Sequence, residues 1–174
     1  MTPRPTVRHA VPADEPRLHD LQRHLDEQAP ALLDAVLSGV FGECLVAVDD
    51  ADRPVGYLLA VDGDGDPPVP SASESAVGDV PPVGGDARSG DDTPTVHVAE
   101  LVVAPSARRN GHASALLATL LSVHPGETVT LTVSSDNDAA LSLYEGFGFE
   151  RLRELPDLFD DGPGRLLARR PRSE

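Results

Sequence analysis

The stretch Leu101-Val-Val-Ala-Pro-Ser-Ala-Arg-Arg-Asn-Gly-His-Ala-Ser114 decides the fold. An apolar strand runs into a tight polar turn at Pro105, and the turn opens a helix. Leu116, Leu117, Leu120 and Leu121 follow at helical spacing, so the helix spans roughly Gly111 to Val123, and Pro125-Gly126 breaks it. Ala113, Ala115 and Ala118 let that helix pack closely on a sheet. Small residues in the first turn also let a ligand approach the backbone. A helix N-terminus presents free N–H groups and the positive end of its dipole, which together favour an anion. Arg108 and Arg109 add charge-assisted donors. The chemistry implied is phosphate or pyrophosphate binding, against the plainer alternative of a strand–helix connection with solvated arginines. The stretch lacks the Gly-Lys-Ser/Thr ending of a Walker A loop and the three glycines of a dinucleotide fingerprint.

Working outward, Thr95 to Val103 reads as the strand feeding this turn, and Thr128 to Val133 alternates so that Val129, Leu131 and Val133 share a face. Asp136 or Asn137 then caps a short helix, Asp138 to Glu145, stopped by Gly146. Phe149 to Glu154 and Arg165 to Arg169 are the last strand candidates, separated by a loop at Pro156 to Gly164. On the N-terminal side, Val7 to Ala10 reads as a strand and Pro12 to Asp14 as a helix start, with Leu18, Leu21 and Leu25 on one helical face. Ala31 to Leu37 is a second helix behind Pro30. Cys44 to Val48 and Val55 to Val61 form a hairpin turned near Arg53-Pro54. Strands alternating with helices make a mixed α/β domain around one sheet.

The 33 positions from Asp62 to Pro94 differ in kind: six Gly, six Pro, seven Asp and no aromatic residue give a local charge of −7. Such a segment buries too little to offset its ordering entropy, so it is expected to be a disordered acidic insertion (62–94) in a single domain covering 1–174. Its opening, Asp62-Gly-Asp-Gly-Asp66, is not an EF-hand loop. Positions six and twelve, which need Gly and Glu, are Pro67 and Ser73.

The whole chain has 174 residues, 29 Asp+Glu and a net charge of −15; all 14 basic residues are Arg. That balance opposes phosphate-backbone binding, so no nucleic acid is expected, and it offers no polybasic patch for a membrane. No apolar run is long enough to span a bilayer, and no secretory signal core is evident, which points to a cytoplasmic protein. Cys44 is the lone cysteine, so neither a disulfide nor a thiolate cluster is expected, and no metal site is read from the sequence. The charge could attract cationic partners. Absence of Lys and only 3 % aromatics instead favour the surface of a protein adapted to high salt.

Val103, Pro105, Arg108, Gly111 and Ala113 fit V-x-P-x-x-R-x-x-G-x-G/A, and Asn137, Ala140, Leu143, Tyr144, Gly148 and Phe149 fit N-x-x-A-x-x-L-Y-x-x-x-G-F. In both motifs the chain resembles the GNAT superfamily of acetyl-CoA-dependent N-acetyltransferases. The close match covers Glu100 to Glu150, and the element order is compatible from Val7 to Arg169. The resemblance implies an α/β GNAT (acyl-CoA N-acyltransferase) fold, a mixed central sheet with a splayed central strand pair flanked by helices. It implies transfer of acetyl from acetyl-CoA to an amine acceptor, a small molecule or a peptide or protein, by direct attack. Leu101, Val102 and Val103 would pair with the pantetheine arm. Arg108, Arg109, Asn110, Gly111, His112, Ala113 and Ser114 would cradle the pyrophosphate, chiefly through backbone N–H groups. Asn137 would contact the cofactor arm, and Tyr144 would lie near the sulfur as general acid.

Glu100, just before that segment, is the candidate base, against a solvated strand residue; His97 is a second candidate, against a structural histidine. By plain alternation Glu100 shares a face with Val98 and Val102, unless a bulge intervenes. Two departures from the family pattern stand out. Arg109-Asn110 replaces a Gly-led pair, and Thr132 stands where some N-terminal acetyltransferases carry Glu. The acceptor pocket would be shaped by Leu18 to Leu37 and Pro156 to Gly164. Relatives that pair through sheet edges make a homodimer possible. A non-catalytic acyl-CoA sensor and an interaction protein with an acidic tether are the rival classes.

Overall fold

A computed structural model describes residues 4–25, 28–63, 94–159 and 162–172, with only the backbone of 63 and 157–159. Along the chain run β1 (Thr6–His9), α1 (Glu15–Gln22), α2 (Pro30–Leu37), β2 (Glu43–Val48), β3 (Pro54–Gly63), β4 (Thr95–Val103), α3 (His112–Val123), β5 (Thr128–Ser134), α4 (Asp138–Gly146), β6 (Glu150–Phe159) and β7 (Gly162–Arg169). The strands form one seven-stranded sheet in the order β1-β2-β3-β4-β5-β7-β6. Every neighbouring pair is antiparallel except β4 and β5, which are parallel and joined through α3. No helix among the described residues is long and apolar enough to cross a membrane.

The leucine patterns explain the layers. Leu116, Leu117 and Leu120 of α3, with Leu141 and Tyr144 of α4, cover one face of the sheet over Leu45, Leu58, Val98 and Leu131. Leu18 and Leu21 of α1, with Leu33 and Val36 of α2, cover the other over Val46, Tyr57, Leu59 and Val102. A fully buried leucine such as Leu18 or Leu117, both 0 % exposed, stabilises the fold by about 2 kcal/mol. Alternation in β2 and β3 is strict, so odd and even positions supply different cores.

The short N-terminal helix is anchored to the sheet by charge. Asp14, 6 % exposed, accepts from Arg8 Nη1 of β1 at 2.7 Å and from the Val11 N–H at 2.9 Å. The Arg8 guanidinium holds the Asp14 carboxyl below its ordinary value, against the opposing effect of burial. At the far end of α3, His124 lies between Glu127, at 2.8 Å from Nδ1, and Glu43 of β2, on Nε2. Burial pulls the imidazole down, but hydrogen bonds and charge from the two carboxylates outweigh it and raise its pKa.

Three boundaries differ from the sequence expectation. β3 runs on through Asp62 and Gly63 because these pair with Val96 and Thr95 of β4, so the acidic segment begins inside a strand. Residues 64–93 of that segment lie outside the described residues. The expected loop at Pro156 to Gly164 is mostly strand: Leu155 pairs with Gly164 and Phe159 with Gly162, because the β7 ladder carries β6 past Pro156. Lastly, α4 includes Gly146, and the left-handed turn that ends it falls at Gly148, with φ 86°.

Candidate active site

The site is built around a local irregularity in β4. Leu59 pairs with Glu100 and Ala60 with Val98, so Ala99 is an extra residue opposite β3. This bulge re-aims every side chain after it. Val96 and Val98 face the α3/α4 core, whereas Val102 joins the α1/α2 core. The alternation that placed Val98 beside Glu100 therefore fails at Ala99. Glu100 keeps company with Val102, not with Val98.

The bulge coincides with a parting of strands. β4 and β5 pair only from Thr95–Val98 to Thr128–Leu131. Beyond that point β4 stays with β3, Leu101 pairing with Leu58 and Val103 with Gly56. β5 instead follows β7, Thr132 pairing with Leu166 and Ser134 with Gly164. The inner edges of Leu101, Val102 and Val103 thus face a split instead of a neighbouring strand.

At the mouth of the split, α3 starts. Gly111 is its N-cap at φ 80° and Arg109 sits at φ 65°, left-handed conformations that fold the turn back over the helix end. The first-turn N–H groups of His112, Ala113 and Ser114 have no preceding helical carbonyls to meet. Arg108 Nε donates to the Val103 carbonyl at 3.2 Å, tying the turn to the strand, while Arg108, Arg109 and Asn110 are exposed. His112 Nδ1 is buried with no hydrogen-bond partner among the described residues. A glycine-capped helix start with free first-turn N–H groups and exposed arginines forms a donor-rich cradle that fits an anionic group.

Across the split, Asn137 caps α4 by accepting from the Ala140 N–H at 3.1 Å, so Oδ1 already has a structural task. Tyr144, 7 % exposed, packs edge-on to Phe149 at a centroid distance of 5.8 Å. Burial pushes its phenol up to about 12, and its hydroxyl has no hydrogen-bond partner among the described residues.

Glu100 lies on the opposite face, 6 % exposed and held by three donors. Gln22 Nε2 reaches its two oxygens at 3.0 and 3.1 Å, the Ala29 N–H donates at 3.0 Å, and the Tyr57 hydroxyl donates at 2.7 Å. Burial, and then the Glu100 charge, raise the pKa of Tyr57, which keeps that phenol a donor. The carboxylate thereby joins β4, β3, the end of α1 and the entry to α2. Gln22 and Tyr57 carried no signal in the sequence, since their partner is 78 and 43 positions away.

This is the fold of an acyltransferase, with a split parallel pair leading onto a helix start. The chain belongs to the acetyltransferase (GNAT) family, whose model matches residues 10–149. No curated protein matches the chain in sequence. Among solved structures, it is similar to NAA60 of Arabidopsis thaliana in complex with acetyl-CoA, with TM-score 0.73, 19 % identity and 95 % and 97 % of the two chains covered. It is similar to the ribosomal-protein-S18-alanine N-acetyltransferase of Escherichia coli, with TM-score 0.70, 15 % identity and coverage of 98 % and 96 %. A phosphinothricin acetyltransferase from Sinorhizobium meliloti, in complex with AcCoA, gives TM-score 0.67, 19 % identity and coverage of 97 % and 88 %.

His97, the other candidate base, is 3 % exposed with Nδ1 at 2.9 Å from Thr130 Oγ1. Burial lowers its pKa from 6.5 to about 4, so it is neutral at working pH. Between those values the unfolded chain binds a proton that the folded chain refuses. Stability is therefore whole above pH 6.5 and declines as pH falls toward 4. Urea midpoints measured across that window should show this acid slope, reduced in a His97→Gln variant. An identical slope in the variant would place the sensitivity elsewhere.

Proposed function

We propose that this chain transfers acetyl from acetyl-CoA to an amine by direct attack on the thioester. One observation carries the proposal: β4 and β5 separate after Val98, beside the Gly111-capped start of α3. A strand edge there suits the amide-bearing pantetheine arm, and Leu101, Val102 and Val103 would supply its backbone partners. Arg108, Arg109, Asn110, Gly111, His112, Ala113 and Ser114 would hold the pyrophosphate through N–H groups and the helix dipole. Asn137 would meet the arm from the β5 side with the amide nitrogen that capping leaves unused. Two of the similar structures hold acetyl-CoA, which supports this donor.

Most of the rate enhancement would come from holding amine and thioester in line. The tetrahedral oxyanion needs a donor, and the Val103 backbone N–H would lie on the free edge. Val102 instead directs its N–H to β3, as Ala104 does two positions on by donating to the Val55 carbonyl. Tyr144 would act on the leaving sulfur. A phenol at about 12 stays protonated and ready to donate, but it is a weaker acid than a thiol near ~8.5. Its contribution is thus a hydrogen bond that strengthens as thiolate charge develops, with the amine's own proton balancing the charge afterwards.

Glu100 would serve the acceptor side. Its negative charge favours approach of an ammonium group, and the proton released on attack would reach it through water, since three donors already occupy its oxygens. The segments Leu18 to Leu37 and Pro156 to Gly164 would shape the acceptor pocket. A peptide amino terminus, a lysine side chain and a small amine all suit this description.

Calorimetric titration with acetyl-CoA and a free-thiol assay over an amine and peptide panel test the proposal. Saturable binding with acceptor-dependent thiol release is expected; binding without release would leave only a sensor. Tyr144→Phe should lower kcat by roughly tenfold or more with acetyl-CoA affinity nearly unchanged, and unchanged turnover would remove Tyr144 from the chemistry. For Glu100→Gln the readout is turnover: a fall in kcat of roughly tenfold or more is expected, and unchanged turnover would exclude proton uptake by Glu100.

A further inference from the structure

Outside the split, one group of side chains converges without any task in transfer. Glu15 and His19 stand four positions apart on α1, a spacing that puts them on one helical face, and Asp34 approaches from α2. A His19 ring nitrogen, an oxygen of Glu15 and an oxygen of Asp34 all lie within 4.8 Å of one another. His19 Nε2 is already 2.8 Å from Asp34 Oδ1. The group opens to solvent, the His19 and Asp34 side chains being 34 % and 56 % exposed, so an ion and its waters have access.

We infer that Glu15, His19 and Asp34 form a binding site for a divalent transition-metal ion of the zinc class. One imidazole nitrogen with two carboxylate oxygens suits Zn²⁺, whose fourth position water would take; calcium and magnesium sites are built from oxygen alone. Ligand distances near 2 Å from a shared centre need donor atoms roughly 3 Å apart, which small rotamer adjustments of exposed side chains supply. The two carboxylates also match the charge of a dication. Two ligands on α1 and one on α2 make the ion a clamp across two helices of eight residues each. Both helices also reach Glu100, through Gln22, one turn beyond His19 on the same stripe of α1, and through the Ala29 N–H ahead of α2. Metal bridging the two helices would therefore stiffen the wall that holds Glu100. The binding itself does not depend on the transfer chemistry.

Zinc chloride titrated into chelator-stripped full-length protein tests this, at high KCl so that diffuse attraction to the acidic surface is screened. One saturable zinc per chain is expected, with a rise in thermal unfolding temperature. His19→Gln and Asp34→Asn should each weaken the affinity by about tenfold or more and abolish the thermal rise. His124→Gln, which alters the Glu43–His124–Glu127 group at the far end of α3, should bind as the parent does. Undiminished affinity in His19→Gln, non-saturating heats in the parent, or loss of binding in His124→Gln would each overturn the site.

Discussion

The parting of β4 from β5 after Val98 is the constraint on which the rest of the molecule depends. An unpaired strand edge inside a domain is costly, because a buried N–H or C=O without a partner costs about 1–3 kcal/mol. Here the cost is tolerated because each strand remains paired on its outer side, β4 with β3 and β5 with β7. The Ala99 bulge supplies the extra twist that turns the two strands apart. It also changes which face each later side chain serves. Leu101 thereby packs toward α3 and α4, while Glu100 and Val102 turn toward α1 and α2. A single inserted residue thus opens the split and sets a carboxylate beside it.

That carboxylate organises the opposite wall. Glu100 is nearly sealed from solvent, and a buried charge persists only where hydrogen bonds compensate it. Its donors come from three separate elements, so the ends of α1 and α2 and the strand bearing Tyr57 are fixed relative to the split. Tyr144 belongs to the α3/α4 core on the other face. Under the proposed reading, donor-side and acceptor-side chemistry would be divided between the two faces of one sheet, with the split as the passage between them.

Much of this was legible in the chain. Pro105, Gly111 and the leucines that follow specify a strand, a turn and a helix from local rules, and β4 and α3 fall where those rules place them. The residues proposed for the cradle and Tyr144 could be named from the sequence because they sit in short contiguous motifs. The bulge was not legible: an alternating pattern cannot show that Ala99 is one residue too many, because that depends on the register with β3. The network around Glu100 was hidden for a similar reason, its partners being far apart in the chain. The Glu15, His19 and Asp34 group was not read from the sequence, because Asp34 meets the α1 pair only through the packing of α2 on α1. Composition gave least. The charge of −15 sets an expectation against nucleic-acid and membrane partners yet chooses no substrate.

The central claim is that the free inner edge of β4 receives the donor's arm. Amide hydrogen exchange across Ala99–Val103, followed with and without saturating acetyl-CoA, tests it most directly. The amides facing the split should become strongly protected on binding, while those already paired with β3 change little. Binding of acetyl-CoA that leaves every one of these amides exchanging at its original rate would contradict the account.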